Sequence, residues 1–147
     1  MKVTNLKLLA TSEKDLRVIA AHLQDSIILP KDVANLKKNK IFLIQLNRFM
    51  WEDVEKGVFR KNKRIRTILK FDNVINVLSK NIDLKNDKKF LDFLTIESIL
   101  LPDKSYEIKL IFSGNVIIKV STEVIDVTLD DQGSPWESKT SPKHNFL

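Results

Sequence analysis

The stretch IKLIFSGNVIIKVSTEVIDVTL, residues 108–129, decides the fold because its apolar pattern is that of two strands joined by a tight turn. In its first part, apolar side chains recur at every second position, which gives a strand one wholly apolar face. Gly114 and Asn115 follow, and both residue types accept the positive φ that short hairpin turns need. The returning residues again place apolar side chains at even positions. The stretch therefore predicts a β-hairpin.

The apolar pattern changes phase after this hairpin. Beyond residue 123 the apolar side chains stand at odd positions, namely Ile125, Val127 and Leu129. Because side chains alternate between the two faces of a strand, this switch would expose the apolar set unless the chain bends or bulges. We therefore expect a bulge or bend that begins at about residues 121–123.

One amphipathic helix is predicted, from residue 13 to about residue 23. Ser12 and Asp15 form a capping-box pattern, in which each side chain can accept a hydrogen bond from an exposed backbone N–H. Apolar residues at helical spacing then give the helix one side that can be buried. These residues are Leu16, Ile19, Ala20 and Leu23.

Other short apolar segments, each bounded by turn residues, predict the remaining strands. The clearest of them are residues 33–36, 41–46, 64–71, 74–78 and 93–101. The predicted fold class is α+β, with one N-terminal helix packed on a strongly bent, mainly antiparallel sheet or half-open barrel of about seven to nine strands. A pleckstrin-homology-like sheet is the rival architecture.

The chain is long enough for one substantial core, since 43% of its 147 residues are hydrophobic. We predict a single α+β domain over residues 1–130. Residues 131–147 are rich in Ser, Pro and charge, which favours a surface-laid or partly disordered C-terminal tail. Trp136 favours partial docking of that tail.

Composition excludes several kinds of chemistry. With no cysteine, the chain has no disulfide, no thiolate zinc site and no thiol nucleophile. Asp130 and Asp131 lack EF-hand spacing and a nearby histidine, so we interpret them as turn residues. Phosphate-loop and other catalytic motifs are also missing, and we predict no cofactor and no metal. Without a membrane-spanning apolar run or a leader pattern, the expected location is the cytoplasm, with no membrane partner.

A basic stretch over residues 56–70 is the first candidate site, since the formal net charge of +6 favours anionic partners. Its candidate anion-binding residues are Arg60, Lys61, Lys63, Arg64, Arg66 and Lys70. An even spacing in the strand puts the side chains of Arg64, Arg66 and Lys70 on one face. Neighbours two residues apart on that face would lie about 6 to 7 Å apart, which is close to the phosphate repeat of an extended nucleic acid. The alternative is a solvated charge run that protects an edge strand from unwanted pairing.

A second candidate site combines the helix end with the end of the strand at residues 41–46. Its residues are His22, Asp25, Asn47, Arg48 and Trp51. If the two ends meet, His22 is a candidate general base in a small enzyme site. The alternative is structural, with Arg48 paired to a carboxylate, Trp51 packed under the following loop, and His22 interacting with helix C-terminal carbonyls.

Four segments, LKLLA (6–10), AHLQD (21–25), LNRFMWE (46–52) and DQGSPW (131–136), occur in the order typical of a known family. In them the chain resembles a family of bacterial proteins, typical of alphaproteobacteria, that is catalogued as domain of unknown function 2948. The resemblance covers nearly the whole chain and departs from the family pattern at Met50, where an acidic residue is expected. It implies no activity and assigns no role to any residue.

The function predicted is therefore a non-catalytic binding or scaffold protein of the bacterial cytoplasm, with a protein as partner. Binding of nucleic acid or another polyanion through the basic stretch is the alternative, and a small enzyme is less favoured. The sequence does not determine the oligomeric state.

Overall fold

The computed structural model describes residues 5–50 and 63–137. Within these residues the chain forms one α-helix and ten strands. The elements are β1 (Lys7–Ala10), α1 (Glu13–Leu23), β2 (Ile27–Ile28), β3 (Val33–Leu36), β4 (Ile41–Phe49), β5 (Lys63–Phe71), β6 (Val74–Lys80), β7 (Leu91–Leu100), β8 (Tyr106–Phe112), β9 (Val116–Thr122) and β10 (Val127–Glu137).

The strands form one antiparallel sheet in the order β1-β10-β5-β4-β2-β7-β8-β9-β6, with β3 paired to β4. The sheet is not closed, because β1 and β6 stand at the two ends of this path. The predicted fold class, one helix on a strongly curved antiparallel sheet, is confirmed. The strand number exceeds the expected seven to nine because β1 and β2, of four and two residues, are too short to show a clear strand pattern.

A bent two-stranded ribbon joins the halves of the sheet. β5 pairs with β10 and β6 pairs with β9, while only Asp72 and Asn73 separate β5 from β6. At the bend, Asp72 N donates to Asp126 O at 2.9 Å and Glu123 N donates to Asn73 O at 3.0 Å. Both long strands therefore turn the corner together. The bend expected from the change of apolar phase lies here, between β9 and β10.

The predicted hairpin is formed by β8 and β9, which pair from Tyr106↔Thr122 to Phe112↔Val116. Gly114 and Asn115 in its turn adopt φ of 72° and 61°, as their residue types led us to expect.

Helix α1 has the predicted bounds and packs on β7, β1 and β4. Ser12 Oγ accepts a hydrogen bond from Asp15 N at 3.1 Å, as a capping residue does. Asp15 Oδ2 accepts in return from Thr11 N at 3.1 Å, one residue before the position that the capping box predicts. The four apolar residues predicted for its inner side are buried.

The core lies inside the bent sheet and under α1. Phe42 and Phe71 approach with ring centroids 6.0 Å apart, and Phe93 meets Phe112 edge-on at 5.7 Å. All four rings belong to one cluster of buried residues that includes strands from both halves of the sheet.

Strand β10 continues past residue 130, where we predicted the end of the domain, and reaches Glu137. Asp131 is buried, and Gln132 and Trp136 pair with β5 on either side of an irregularity at Gly133, where φ is 71°. Residues 138–147 of the predicted tail, and residues 51–62, which include Trp51 and the first part of the basic stretch, lie outside the described residues. No helix in the described part of the chain is long and apolar enough to cross a membrane.

Candidate functional site

A buried ion pair links two strands that are far apart in the sequence, β4 and β10. Arg48 in β4 donates to both carboxylate oxygens of Asp131 in β10, from Nε at 2.8 Å and from NH2 at 2.7 Å. Both side chains are 0% exposed. Leu6 N donates to the same carboxylate at 2.9 Å, and Asp131 N donates to Leu6 O at 3.0 Å. The pair therefore ties together β4, β10 and the segment before β1.

Asp131 is held in its charged form. Burial alone would raise its pKa, but the hydrogen bonds from Arg48 and from Leu6 N outweigh that effect, so the pKa lies below its ordinary value. This carboxylate has its hydrogen-bonding capacity occupied by the protein. Our interpretation of Asp130 and Asp131 as turn residues was wrong, because both lie within β10 and Asp131 faces inward.

Arg64 occupies the opposite face of the sheet at the same end, where it is directly opposite Phe49. Its NH1 donates to Asn47 O at 3.1 Å and to Asp25 O at 3.2 Å, and its guanidinium lies 5.9 Å from the centre of the Phe49 ring. Burial lowers its pKa, while the carboxylates of Asp92 and Asp25 oppose that shift. Arg64 thus fastens the loop after α1 to β4.

The second candidate site is split by this arrangement. Arg64 brings Asp25 and Asn47 together through their carbonyls, but Arg48 points into the protein and is occupied by Asp131. His22 lies in the last turn of α1, and its Nδ1 is buried without a hydrogen bond. Trp51 lies outside the described residues. Of the two sequence-based interpretations of Arg48, pairing with a carboxylate is confirmed.

The basic stretch is divided in a similar way. Arg66 is exposed and Lys63 is half-buried, whereas Arg64 is only 7% exposed and is bound by carbonyls. The shared parity predicts that Arg64 projects outward with Arg66. In the structure Arg64 instead folds back against the Phe49 ring. Lys70 lies 3.6 Å from the Asp72 carboxylate, which offsets its charge. Arg60 and Lys61 lie outside the described residues.

A groove between α1 and β7 is a concave feature of the described surface. It consists of two adjoining clefts of about 410 Å³ each, which share Arg17 and Ile96. Glu13 and Ile99 line one end, and Gln24 lines the other. Because the first turn of α1 faces the end of β7 and its last turn faces the beginning, helix and strand run antiparallel along the groove.

Within the described ranges, the strand side of this groove is an edge without a second strand partner. β7 pairs with β2 at residues 91–92. The next residue, Phe93, bonds to the chain just before β2: Phe93 N donates to Ser26 O at 2.8 Å, and Asp25 N donates to Phe93 O at 2.9 Å. From residue 94 to residue 100, β8 is the only strand beside β7 among the described residues. Alternate residues of an antiparallel strand turn their N–H and C=O groups away from the neighbour. Consecutive residues 94–99 of β7 line the groove, which places this edge of the strand beside α1.

Side chains give the groove an apolar floor and a charged rim. Leu16, Ala20 and Ile96 are buried beneath it, while Arg17 and Glu97 stand exposed above it. Leu94 and Ile99 are also partly uncovered on β7, at 45% and 51% exposure. The sequence predicted both walls, but it contained no signal that β7 would lack a second strand, because that depends on the order of strands in the sheet.

No metal centre competes with the groove as a site, because the residues that the structure describes contain no cluster of three or more metal-binding side chains. In comparisons with known proteins, the family model described as a protein of unknown function (DUF2948) matches residues 6–144. That match includes α1, β7 and the Arg48–Asp131 pair. No curated protein and no solved structure matches the chain.

Proposed function

We propose a function from the geometry, because the chain belongs to the DUF2948 family of proteins of unknown function and inherits no activity from it. The protein is a non-catalytic binding protein of the bacterial cytoplasm, and its partner is another protein. It takes an extended peptide segment of that partner into the groove between α1 and β7. The observation that carries this proposal is the unpaired edge of β7 along the groove.

Backbone chemistry defines the occupant. An unpaired strand edge presents donors and acceptors at the spacing of a strand, and an extended peptide matches them in sequence order. Peptide-binding domains use this strand addition, in which main-chain hydrogen bonds supply affinity and pockets for alternate side chains supply specificity. In this protein α1 closes the far side of the groove, which limits the occupant to a single strand.

Side chains define which peptide fits. The floor formed by Leu16, Ala20 and Ile96 accepts apolar side chains at every second position of the peptide. Glu13 and Glu97 at one end favour a basic residue there, whereas Arg17 near the middle favours an acidic one.

The polar groups at the end of the sheet favour binding over catalysis. Arg48 and Asp131 are fully buried and bonded to each other, and Arg64 is bonded to backbone carbonyls. A general base or nucleophile must be able to reach a substrate. These three groups have structural partners, so they stabilise the scaffold that positions α1 and β7.

Selection from a random peptide library tests the proposal. We expect the purified protein to select peptides with alternating apolar residues, and Ala21→Trp to weaken their binding by about tenfold or more, because Ala21 is an exposed helix residue that lines the groove and the indole fills it. Lys14→Trp is the matched control, since it adds the same side chain at an exposed position of α1 that does not line the groove. Equal binding by both variants contradicts the proposal.

Polyanion binding through the basic stretch is the second proposal, and the exposure of Arg66 on the outer side of β5 supports it. Lys63 on the same strand is half-buried and has the opposite parity, so it does not extend the charged face of Arg66. Because Arg64 is buried, it is lost from the predicted row of outward-facing cations on β5. Polyanion binding therefore ranks below peptide binding.

A further inference from the structure

A second cleft, of about 340 Å³, lies on another part of the surface and has no role in peptide binding. It is formed by the turn after β2 and by the connection between β6 and β7. The residues lining it are Leu29, Lys31, Lys85, Asn86, Asp87 and Lys88.

The wall from the β6–β7 connection is fixed by hydrogen bonds within its own turn. Asp83 accepts from Lys85 N at 2.9 Å and from Asn86 Nδ2 at 2.7 Å. Asp87 Oδ2 accepts from Asp83 N at 2.7 Å, and Asp87 N donates to Asp83 O at 2.9 Å. The Asn86 amide, with Lys85 N, lowers the pKa of Asp83. The acidic side chains of this wall are thus engaged in holding the turn.

The opposite wall is fixed to the sheet. Asp32 N donates to Leu29 O at 2.9 Å and closes a turn that begins at the buried Pro30. The preceding strand residue, Ile28, pairs with Leu91 at the start of β7. Since the other wall leads directly into β7, both walls are anchored to one strand and the cleft between them is preformed.

The charge of the cleft is not balanced. Lys31 reaches it from one wall, and Lys85 and Lys88 reach it from the other. None of these lysines forms an ion pair with a residue in the described ranges. Leu29 and the lysine stems provide an apolar lining beneath the ammonium groups.

We propose that this cleft binds a phosphate monoester that carries one ring-sized apolar group. A phosphate monoester has a charge of about −1.5 to −2 near pH 7 and three strong acceptor oxygens, one for each lysine. Lysine binds phosphate as a point charge, and the apolar lining accepts the body of the ligand.

The size of the cleft fits a small ester. Its volume stands at the lower end of the range of about 300 to 1,000 Å³ that small-molecule sites occupy. One ring fills such a space, and the acyl chains of a phospholipid would remain outside it. A free ester and a lipid headgroup share the phosphate chemistry, and the test below distinguishes these two sources.

Calorimetric titration with phenyl phosphate tests this site, with inorganic phosphate and benzyl alcohol as its charged and apolar halves. We expect phenyl phosphate to bind at least about tenfold more tightly than either half, because only it uses both the lysines and the apolar lining. Lys85→Ala combined with Lys88→Ala should weaken binding by about tenfold or more. Lys38→Ala removes an exposed lysine outside the cleft and should leave binding unchanged.

Circular dichroism shows whether each variant is folded, and all three lysines are exposed, so their loss leaves the core intact. Equal affinity for phenyl phosphate and inorganic phosphate would overturn the proposal, as would an unchanged affinity in the double variant. Sedimentation of the protein with vesicles containing phosphatidic acid, without binding of phenyl phosphate, would assign the cleft to lipid and overturn it as well.

Discussion

At the scale of single residues, the Arg48–Asp131 pair links two strands that are distant in the sequence. It spans 83 residues of sequence and holds two charges where both are fully buried. Removing one partner of such a pair leaves an unpaired buried charge, which costs more than the pair itself contributes. The pair therefore behaves as a unit in mutagenesis.

We expect Asp131→Ala to lower the free energy of unfolding by about 3 to 5 kcal/mol, because Arg48 then remains charged and buried. The double variant Arg48→Met with Asp131→Leu should lose less than this single change. Asp130→Ala, at the neighbouring and partly exposed position, should stay within about 0.5 kcal/mol. Urea unfolding measures all three, and a double variant less stable than the single one would contradict a paired role.

The same pair has a pH dependence with a defined sign. The pKa of Asp131 is lowered in the folded protein, so its stabilising effect is complete above the ordinary value of 3.8 and is lost as pH falls from there through the folded-state value. The stability gap between wild type and Asp131→Ala should therefore be large at about pH 7 and narrow at about pH 3. A gap of equal size at both pH values would contradict this assignment.

The sequence predicted one partner of this interaction but not the other. A charged side chain at the end of an apolar strand predicts that Arg48 pairs with a carboxylate. Its partner could not be identified, because Asp131 lies 83 residues away and its inward direction depends on how far β10 continues. The Ser, Pro and charge content of residues 131–147 suggested a tail, and strand pairing overrode that local preference for residues 131–137.

At the scale of elements, the sequence predicted which face of β5 each side chain takes, but it did not predict which of the outer side chains are buried. Ile65, Thr67 and Leu69 face inward as their parity requires. Arg64 and Arg66 share the other parity, yet Arg64 turns back onto Phe49 and two carbonyls whose position is set by β4 and by the loop after α1. Parity fixes a face, whereas burial depends on neighbouring elements.

This difference yields a prediction for the basic stretch. Arg64→Ala should lower stability by about 1 to 3 kcal/mol because it strips hydrogen bonds from two carbonyls, whereas Arg66→Glu should change it by less than about 0.5 kcal/mol. If the stretch binds polyanions, Arg66→Glu weakens retention of single-stranded RNA, and wild-type retention falls between about 50 and 200 mM salt. Lys104→Glu, an exposed charge reversal in the β7–β8 turn, is the control. No retention by the wild type at low salt removes the polyanion proposal.

At the scale of the whole molecule, the α+β class, the helix bounds and the bend after β9 follow from local sequence. The capped amphipathic helix and the change in apolar parity carry that information. The order of ten strands does not follow, because pairing between distant segments is set by the shared core. β7 acquires its free edge only because β2 is two residues long and α1 takes the place beyond it.

The groove is therefore a product of topology. A strand that the sequence predicts becomes one wall of a groove because the described sheet supplies one neighbour and α1 packs on the other side. Helices commonly cover sheet edges to prevent unwanted pairing, and the proposed peptide would add a strand at this covered edge.

Amide hydrogen exchange across β7, measured with and without a library-selected peptide, tests the central claim most directly. Strand addition predicts that, from residue 94 to residue 100, the alternate amides directed toward α1 exchange more slowly when the peptide is bound, while those already bonded to β8 change little. Ala21→Trp should abolish this protection at the same peptide concentration. Peptide-induced protection confined to β5 or to another face, with β7 unchanged, would contradict the account.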